Sequence, residues 1–312
     1  MTRKKSTATL NNLAKNYSDE DKARELLESL RWPDGAACPR CGSMSVYKIT
    51  PKEGSSTRKG LYKCKDCRNL KKKDQFTVTV GTIFEDSHIP LSKWLLAITL
   101  LCSSKKGISA HQLHRMLGVT YKTAWFMAHR IRHAMEGKPS QRMKGTIEAD
   151  ETWIGGKSRR VGMQTGMENK VPVMALVQRG GKVRSFVMPM VSATTLKEVL
   201  LENVHPSAHL MTDENDGYER VGKEFASHET VTHGKHEYAR GNVTTNAVEG
   251  FFGLLKRGIN GVYHHVSKEH LHRYLAEFDF RYNRRKISDH ERTISAIAGF
   301  EGKRLMYKDS LG

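Results

Sequence analysis

Acid is scarce in this 312-residue chain: 33 Asp+Glu stand against 52 Lys+Arg, a formal charge of +19. An excess of that size, with a pI near 9.7, points to a polyanionic partner, most often nucleic acid. Long apolar runs are missing too. The longest, around WLLAITLLC, is too short to span a bilayer, so no membrane partner is expected and the chain is placed in the cytoplasm with the nucleoid. No apolar segment follows the basic start MTRKKSTATL, which excludes a secretory signal and leaves residues 1–11 as a flexible basic arm. No GxxxxGK[ST] phosphate loop occurs. Cysteine is limited to five residues, and with nothing pointing to export a disulfide framework is disfavoured. What is present is ordinary for a globular protein: 38% hydrophobic and 27% charged residues, in a length that allows two or three domains.

Four of the cysteines form two pairs, Cys38-Pro-Arg-Cys41 and Cys64-Lys-Asp-Cys67, with 22 residues between them. Thiolates at i and i+3 on a tight knuckle fill two corners of a tetrahedron, and a second knuckle on a neighbouring hairpin fills the others. The expectation is a zinc ribbon over residues 36–85 holding one structural Zn²⁺. MSVYKIT, GLYKC and QFTVTVGT supply strands, and Arg58, Lys59, Lys63, Lys65, Arg68 and Lys71–Lys73 supply positive charge. Cys102 stands alone in an apolar stretch and reads as buried. Before the ribbon, residues 12–35 read as a short helical segment capped by Ser18, striped by Leu26, Leu27 and Leu30, and stopped by Trp32-Pro33-Asp34-Gly35.

Residues 86–137 read as a helical region. After one buried helix, Ala110, Leu113 and Leu117 line a second, Gly118 turns the chain and Thr120 caps a third with Ala124, Met127, Ala128 and Ile131 inward. That is helix-turn-helix spacing, although an ordinary helical hairpin shares it. Tyr121, Lys122, Thr123, Arg130 and Arg132 are expected to face outward, suited to phosphates and base edges.

From residue 138 the pattern alternates strands and helices. Strands are expected in GTIEADETWIG, VPVMALVQR, KVRSFVMPMV and HLMTD, a helix in TTLKEVLLENV, a fifth strand in ETVTH and two closing helices in TTNAVEGFFGLLKRGI and SKEHLHRYLAEFDFRYNRRK. This order matches a ribonuclease-H-like α/β fold over residues 138–290, with a C-terminal tail over 291–312. The fold class is therefore a multidomain α+β and α/β chain: zinc ribbon, helix-turn-helix, then ribonuclease-H-like domain.

Three acids stand where elements meet. Asp150 lies in the first strand of this domain, Asp213 ends the fourth, and Glu249 lies early in a later helix, with 35 residues between it and Asp213. A solvated surface carboxylate accounts for any one of them. As a set they fit two Mg²⁺ ions roughly 3.5–4 Å apart, as phosphodiester chemistry requires. Asn246, Glu249 and Lys256 share one helix face at spacings of three and seven, and Lys256 and Arg257 are placed to meet DNA phosphate. Glu148 shares the strand face of Asp150, Glu151 points away, and Glu214 and Asp216 are alternatives near Asp213. Among His228, His233 and His236, the reading sets His233 near the site.

The chain resembles the DDE-type transposases of bacterial insertion sequences, in the group with an N-terminal zinc ribbon. The likeness runs through RWPDGAACPRCGS, GTIFEDSHIPLSKW, IEADETWIGGK, MTDENDGYE and TTNAVEGFFGLLKRG, about residues 15 to 290. It implies a ribonuclease-H-like core using two Mg²⁺ ions, with Mn²⁺ as a substitute, and Asp150 and Asp213 as the first two catalytic acids. The third is Glu249 or, as in some members, an amide such as Asn246; a carboxylate is the stronger Mg²⁺ ligand, which favours Glu249. The implied reaction is strand cleavage followed by attack of the freed 3′-OH on target double-stranded DNA, carried out by at least a dimer that recognises terminal inverted repeats. Two rivals are a catalytically silent DNA-binding regulator and a plain ribonuclease-H-like nuclease.

Overall fold

Asp19 starts the first helix. In the computed structural model, which describes residues 17, 19–137, 141–156, 170–232, 234, 237 and 239–307, its carboxylate accepts the Asp21 and Lys22 N–H groups (2.8 and 3.1 Å). Helix α1 (Glu20–Arg31) follows and ends at Trp32. The cap is thus one residue later than the sequence pattern placed it, since a short carboxylate serves an N-cap as well as a serine hydroxyl does. Ser18, the basic arm 1–11, His233 and His236 lie outside the described residues.

The chain divides into two units. The first draws on residues 1–104, 110–135 and 287–312. After α1 it forms an antiparallel sheet in the order β1 (Val46–Ile49), β2 (Leu61–Cys64), β3 (Gln75–Phe76), with Tyr47 opposite Lys63 and Tyr62 opposite Phe76. The short helix α2 (Lys65–Asn69) begins directly on Cys64. The third strand is only two residues long, because Val78 and Thr79 already turn away through i→i+3 hydrogen bonds. Trp32, Tyr62 and Phe76 pack with ring centroids 5.3–5.9 Å apart, giving a small domain an aromatic core beside its cysteines.

Helices α3 (Leu91–Ser103), α4 (Ala110–Leu117) and α5 (Tyr121–Met135) follow. Trp94, Leu95, Ile98, Leu101 and Cys102 of α3 are buried, the position foreseen for Cys102. Residues 291–312 were expected as a tail, yet 289–298 form a further helix, α10 (Asp289–Ala298), packed on α3. Its start carries a capping box in which Ser288 and Glu291 bond each other's backbone.

The second unit draws on residues 105–109 and 136–286. Its five-stranded sheet has the order β6 (Val183–Val187), β5 (Lys170–Gln178), β4 (Thr146–Gly155), β7 (His209–Thr212), β8 (Ser227–Thr230). Strands β4, β5 and β6 run antiparallel, while β4–β7 and β7–β8 are parallel. β5 is buried along seven consecutive residues, as a central strand covered on both faces must be. Alternation then sorts its side chains. Met174 and Leu176 join Ile147 and Ala149 of β4 under α6 (Ala193–Asn203). Val171, Val173, Ala175 and Val177 join Ile154 under α8 (Asn246–Gly258) and α9 (Leu271–Asn283). Even-numbered positions of β4 therefore face α8. Between β7 and β8 lie a 3₁₀ turn (Asp216–Tyr218) and the short α7 (Glu219–Gly222). A two-residue hairpin, β9 (Ala239–Arg240) and β10 (Val243–Thr244), precedes α8.

α9 also covers the β6 edge of the sheet. Asn283 accepts the Val183 N–H (2.6 Å) and donates to the Val183 carbonyl (2.9 Å). Asp279, one turn earlier, accepts both the N–H and the hydroxyl of Ser185 (2.8 and 2.7 Å). Backbone groups that an edge strand leaves exposed are thereby paired.

Candidate zinc site and acid site

The metal knuckles come from tight local turns. The Cys38 N–H donates to the Ser43 carbonyl (2.9 Å) and the Gly42 N–H to the Cys38 carbonyl (2.8 Å). Gly42 has φ +75°, a conformation that favours glycine. At the other knuckle the Cys67 N–H donates to Cys64 Sγ (3.4 Å) at the start of α2. The four sulfurs lie within 4.8 Å of one another. Cys38–Cys67, Cys41–Cys64 and Cys41–Cys67 are 3.8, 3.6 and 3.5 Å apart. A tetrahedron with Zn–S bonds of about 2.3 Å has sulfur–sulfur edges of about 3.8 Å, so the donor set fits Zn²⁺. Hydrogen bonding with Cys41 first, and burial second, push the Cys67 thiol up to about 12; four thiols this close ionise together only around a cation. The expected site is assembled in full. Lys65, Arg68 and Lys71–Lys73 beside it are exposed.

In the second unit, Asp150 lies within β4, and Asp213 directly follows β7, the parallel neighbour of β4. β4 and β7 pair in parallel as Thr146 with His209, Ile147 with Leu210 and Glu148 with Met211. The pairing ends there: β7 stops at Thr212, and Asp150 and Asp213 each lie two residues beyond the last pair. Both are half-buried. Glu151 lies on the opposite face of β4, as expected, and meets the Tyr218 hydroxyl there. Burial first pushes the Glu151 carboxyl up to about 7 and the charges of Asp213 and Asp150 add to this, while hydrogen bonds with Tyr218 and Asn215 pull the other way. Burial likewise holds the Tyr218 phenol well above its ordinary range. The turn after β7 is shaped by Asp213 Oδ1, which accepts the Asn215 N–H (3.2 Å), and by Asn215, which accepts the Gly217 N–H (2.9 Å). Glu214 and Asp216 are exposed.

Glu249 sits in the first turn of α8, exposed, with its carboxylate accepting the Thr245 hydroxyl (2.9 Å). Asn246, Lys256 and Arg257 are exposed on the same helix. Among the described residues the four cysteines are the only group of three or more Cys, His, Asp or Glu whose ligand atoms lie within 4.8 Å of one another. Asp150, Asp213 and Glu249 do not form such a group. His228 instead hydrogen-bonds Thr212 (2.9 Å) at the end of β7, and burial lowers its pKa.

Residues 142–283 match the ISXO2-like transposase domain, and residues 18–69 the transposase zinc-ribbon domain. The chain is also similar to an uncharacterized protein in transposable element ISH50 of Halobacterium salinarum, 31% identical over 284 residues that cover 86% of this chain and 92% of that protein. The chain belongs to the ISXO2-like transposases with an N-terminal zinc ribbon. An uncharacterized transposase-like protein of Haemophilus influenzae is 29% identical over 106 residues, 34% of this chain and 85% of that one. Membership makes the chain a transposase by family and suggests a DNA-processing, DNA-binding enzyme. Among the described residues no helix is long and apolar enough to cross a membrane.

In this transposase the α4–α5 pair corrects one expectation. Leu113, Leu117, Ala124, Met127, Ala128 and Ile131 are buried as foreseen, Gly118 turns with φ +59°, and Thr120 caps α5 through the Thr123 N–H (3.2 Å). Tyr121 and Lys122 are exposed and Thr123 is half-buried. Arg130 and Arg132, however, are 5% and 2% exposed. Arg130 donates to the Glu85 carbonyl (2.7 Å) and lies over the Trp94 and Phe126 rings, and burial pulls its pKa down to about 10. A flat guanidinium bonded to a carbonyl and stacked over aromatic faces can be buried where a periodicity reading sees only charge.

The sequence reading left Glu148 without a role. Its side chain is 1% exposed, yet it accepts from Arg179 Nε (2.6 Å) and from the Ala247 and Val248 N–H groups (2.7 and 3.1 Å) at the start of α8. A carboxylate there stabilises a helix by up to ~2 kcal/mol in partly buried geometry.

Proposed function

We propose that this chain binds the terminal inverted repeats of its element and catalyses Mg²⁺-dependent DNA strand cleavage and strand transfer. The observation that supports the reading is the parallel pairing of β4, which carries Asp150, with β7, which Asp213 directly follows, together with α8 packed on the same sheet and bearing Glu249 in its first turn. The sheet order, three antiparallel strands followed by two parallel ones, supports a ribonuclease-H-like core. The donors are hard carboxylate oxygens, which fit Mg²⁺ or Mn²⁺. Asp150 and Asp213 would hold two such ions, whose chemistry when bound would be to activate the attacking oxygen and stabilise the leaving one.

The chain's own residues do the rest. Asp150 and Asp213 hold the first two ligand positions, and Glu249 or Asn246 supplies the third. Lys256, two turns along the exposed face of α8, holds a DNA phosphate with Arg257. The α4–α5 pair, read as a helix-turn-helix, presents Tyr121, Lys122 and Thr123 to DNA, and the exposed lysines and Arg68 of the ribbon hold backbone phosphates. Synapsis of two ends calls for at least two copies of the chain.

The test is strand cleavage and joining on DNA carrying the element's own ends, with Mg²⁺. The parent should cut and join, and Asp213→Asn should abolish both. Loss with Glu249→Gln but not Asn246→Ala makes Glu249 the third ligand; the reverse makes it Asn246. Specific binding of ends by the parent without any cutting would instead identify a DNA-binding regulator.

A further inference from the structure

We infer that Glu148 and Arg179 are positioning residues for the acid site: they lock the first turn of α8 to β4 and so set where Asn246 and Glu249 stand relative to Asp150. The inference rests on the transposase reading above and adds two residues to it.

The bonds form one connected set. Glu148 lies two residues before Asp150 on the same face of β4. One of its oxygens accepts the Ala247 and Val248 N–H groups (2.7 and 3.1 Å), immediately before Glu249. The other accepts Arg179 Nε (2.6 Å) at the end of β5. Arg179 then donates to the Asn242 and Thr244 carbonyls (2.6 and 2.9 Å), gripping the β9–β10 hairpin that feeds into α8. Thr245, wholly buried at the helix start, donates to Glu249. Thus the strand bearing Asp150 and the helix turn bearing Glu249 are joined through one carboxylate.

Burying that carboxylate is not a cheap way to stabilise a fold. Ion pairs removed from water are often replaced by apolar residues without loss. What an apolar pair cannot do is fix a helix terminus to a strand at hydrogen-bond length and direction. Metal-assisted phosphodiester chemistry demands that precision, since a misplacement of about 1 Å can cost about 100-fold in rate.

The experiment uses the full-length, zinc-loaded chain and Mn²⁺, with free Mn²⁺ followed by its electron paramagnetic resonance signal. Glu148→Gln keeps an acceptor for the helix amides but gives up the ionic bond to Arg179. Arg179→Lys keeps the charge but cannot reach three acceptors. Both variants should keep the parent's circular dichroism and bind Mn²⁺ about tenfold more weakly, the lower end of what losing a residue that orients a metal ligand costs. Combined with whichever of Glu249→Gln and Asn246→Ala the cleavage assay shows to remove the third ligand, Glu148→Gln should bind no more weakly than that single variant. Unchanged Mn²⁺ affinity in folded variants overturns the inference, and so does a loss that multiplies in the double variant. Should Glu148→Gln fail to fold, Arg179→Lys alone and combined with the same third-ligand variant decides by the same comparison. Mn²⁺ binding that Asp213→Asn leaves untouched overturns the acid-site reading and this inference together. Binding that is sensitive to Asp213→Asn but indifferent to Glu148→Gln and Arg179→Lys overturns the inference alone.

Discussion

Asp279, half-buried on α9, accepts the N–H and the hydroxyl of Ser185. Burial pushes its pKa from 3.8 up to about 7, against the pull of those two bonds. Between those values the folded chain keeps a proton that the unfolded chain releases. Its contribution to stability is therefore complete below pH 3.8 and is lost as pH rises to about 7. Asp279→Asn should flatten the dependence of the unfolding midpoint on pH across that window, measured by thermal denaturation in matched buffers. Parallel curves for parent and variant would remove Asp279 as a source of the slope. Residues differ in how openly the sequence declares them. The zinc cysteines are legible because their chemistry is local, three residues apart on each knuckle. Asp150 and Asp213 are legible because each falls in or just beyond a strongly patterned strand. Glu148 is not, since its partners lie 31 and 99 or more residues away, and a carboxylate in a strand carries no mark of the helix it will cap.

Among the elements, α5 tests the division between packing and recognition. Arg130→Ala removes a buried guanidinium from the Glu85 carbonyl and two aromatic faces. It should lower stability by about 1–3 kcal/mol in denaturant unfolding and leave the DNA affinity of the folded fraction unchanged. Lys122→Ala removes an exposed side chain that lies over Tyr307. It should change stability by no more than about 0.5 kcal/mol and reduce the slope of log K against log salt by about 1 in anisotropy titrations. If Arg130→Ala weakened DNA binding and left stability alone, the burial assigned to it here would be wrong. Most long elements were visible in the hydrophobic pattern, because a buried strand such as β5 or an amphipathic helix such as α8 carries a long periodic signal. The β9–β10 hairpin was not: strands of two residues have no period to detect, and what holds them is the distant Arg179.

For the molecule as a whole, the ribbon depends on its metal more than its size would allow otherwise. Its buried cluster is Cys38, Tyr62, Cys64, Cys67 and Phe76, of which three are proposed ligands. Chelating the zinc should abolish hydrogen-exchange protection at β2 and leave that of β5 intact, because metal binding in such domains is folding free energy. Protection of β2 that survives chelation would assign the four cysteines a role other than structural. The strand order of the second unit was legible only as a sequence of elements. Which strands become neighbours is decided by pairing across the sheet, as when β7 inserts between β4 and β8. The grip of α9 on the opposite edge bears on which mutations this family member can tolerate. Asn283 and Asp279 hold Val183 and Ser185 mainly through main-chain groups, so the side chain at 183 can vary without breaking those contacts. A one-residue insertion or deletion in the turn between β5 and β6 shifts every one of those main-chain groups at once. The edge is therefore permissive to substitution and strict about length.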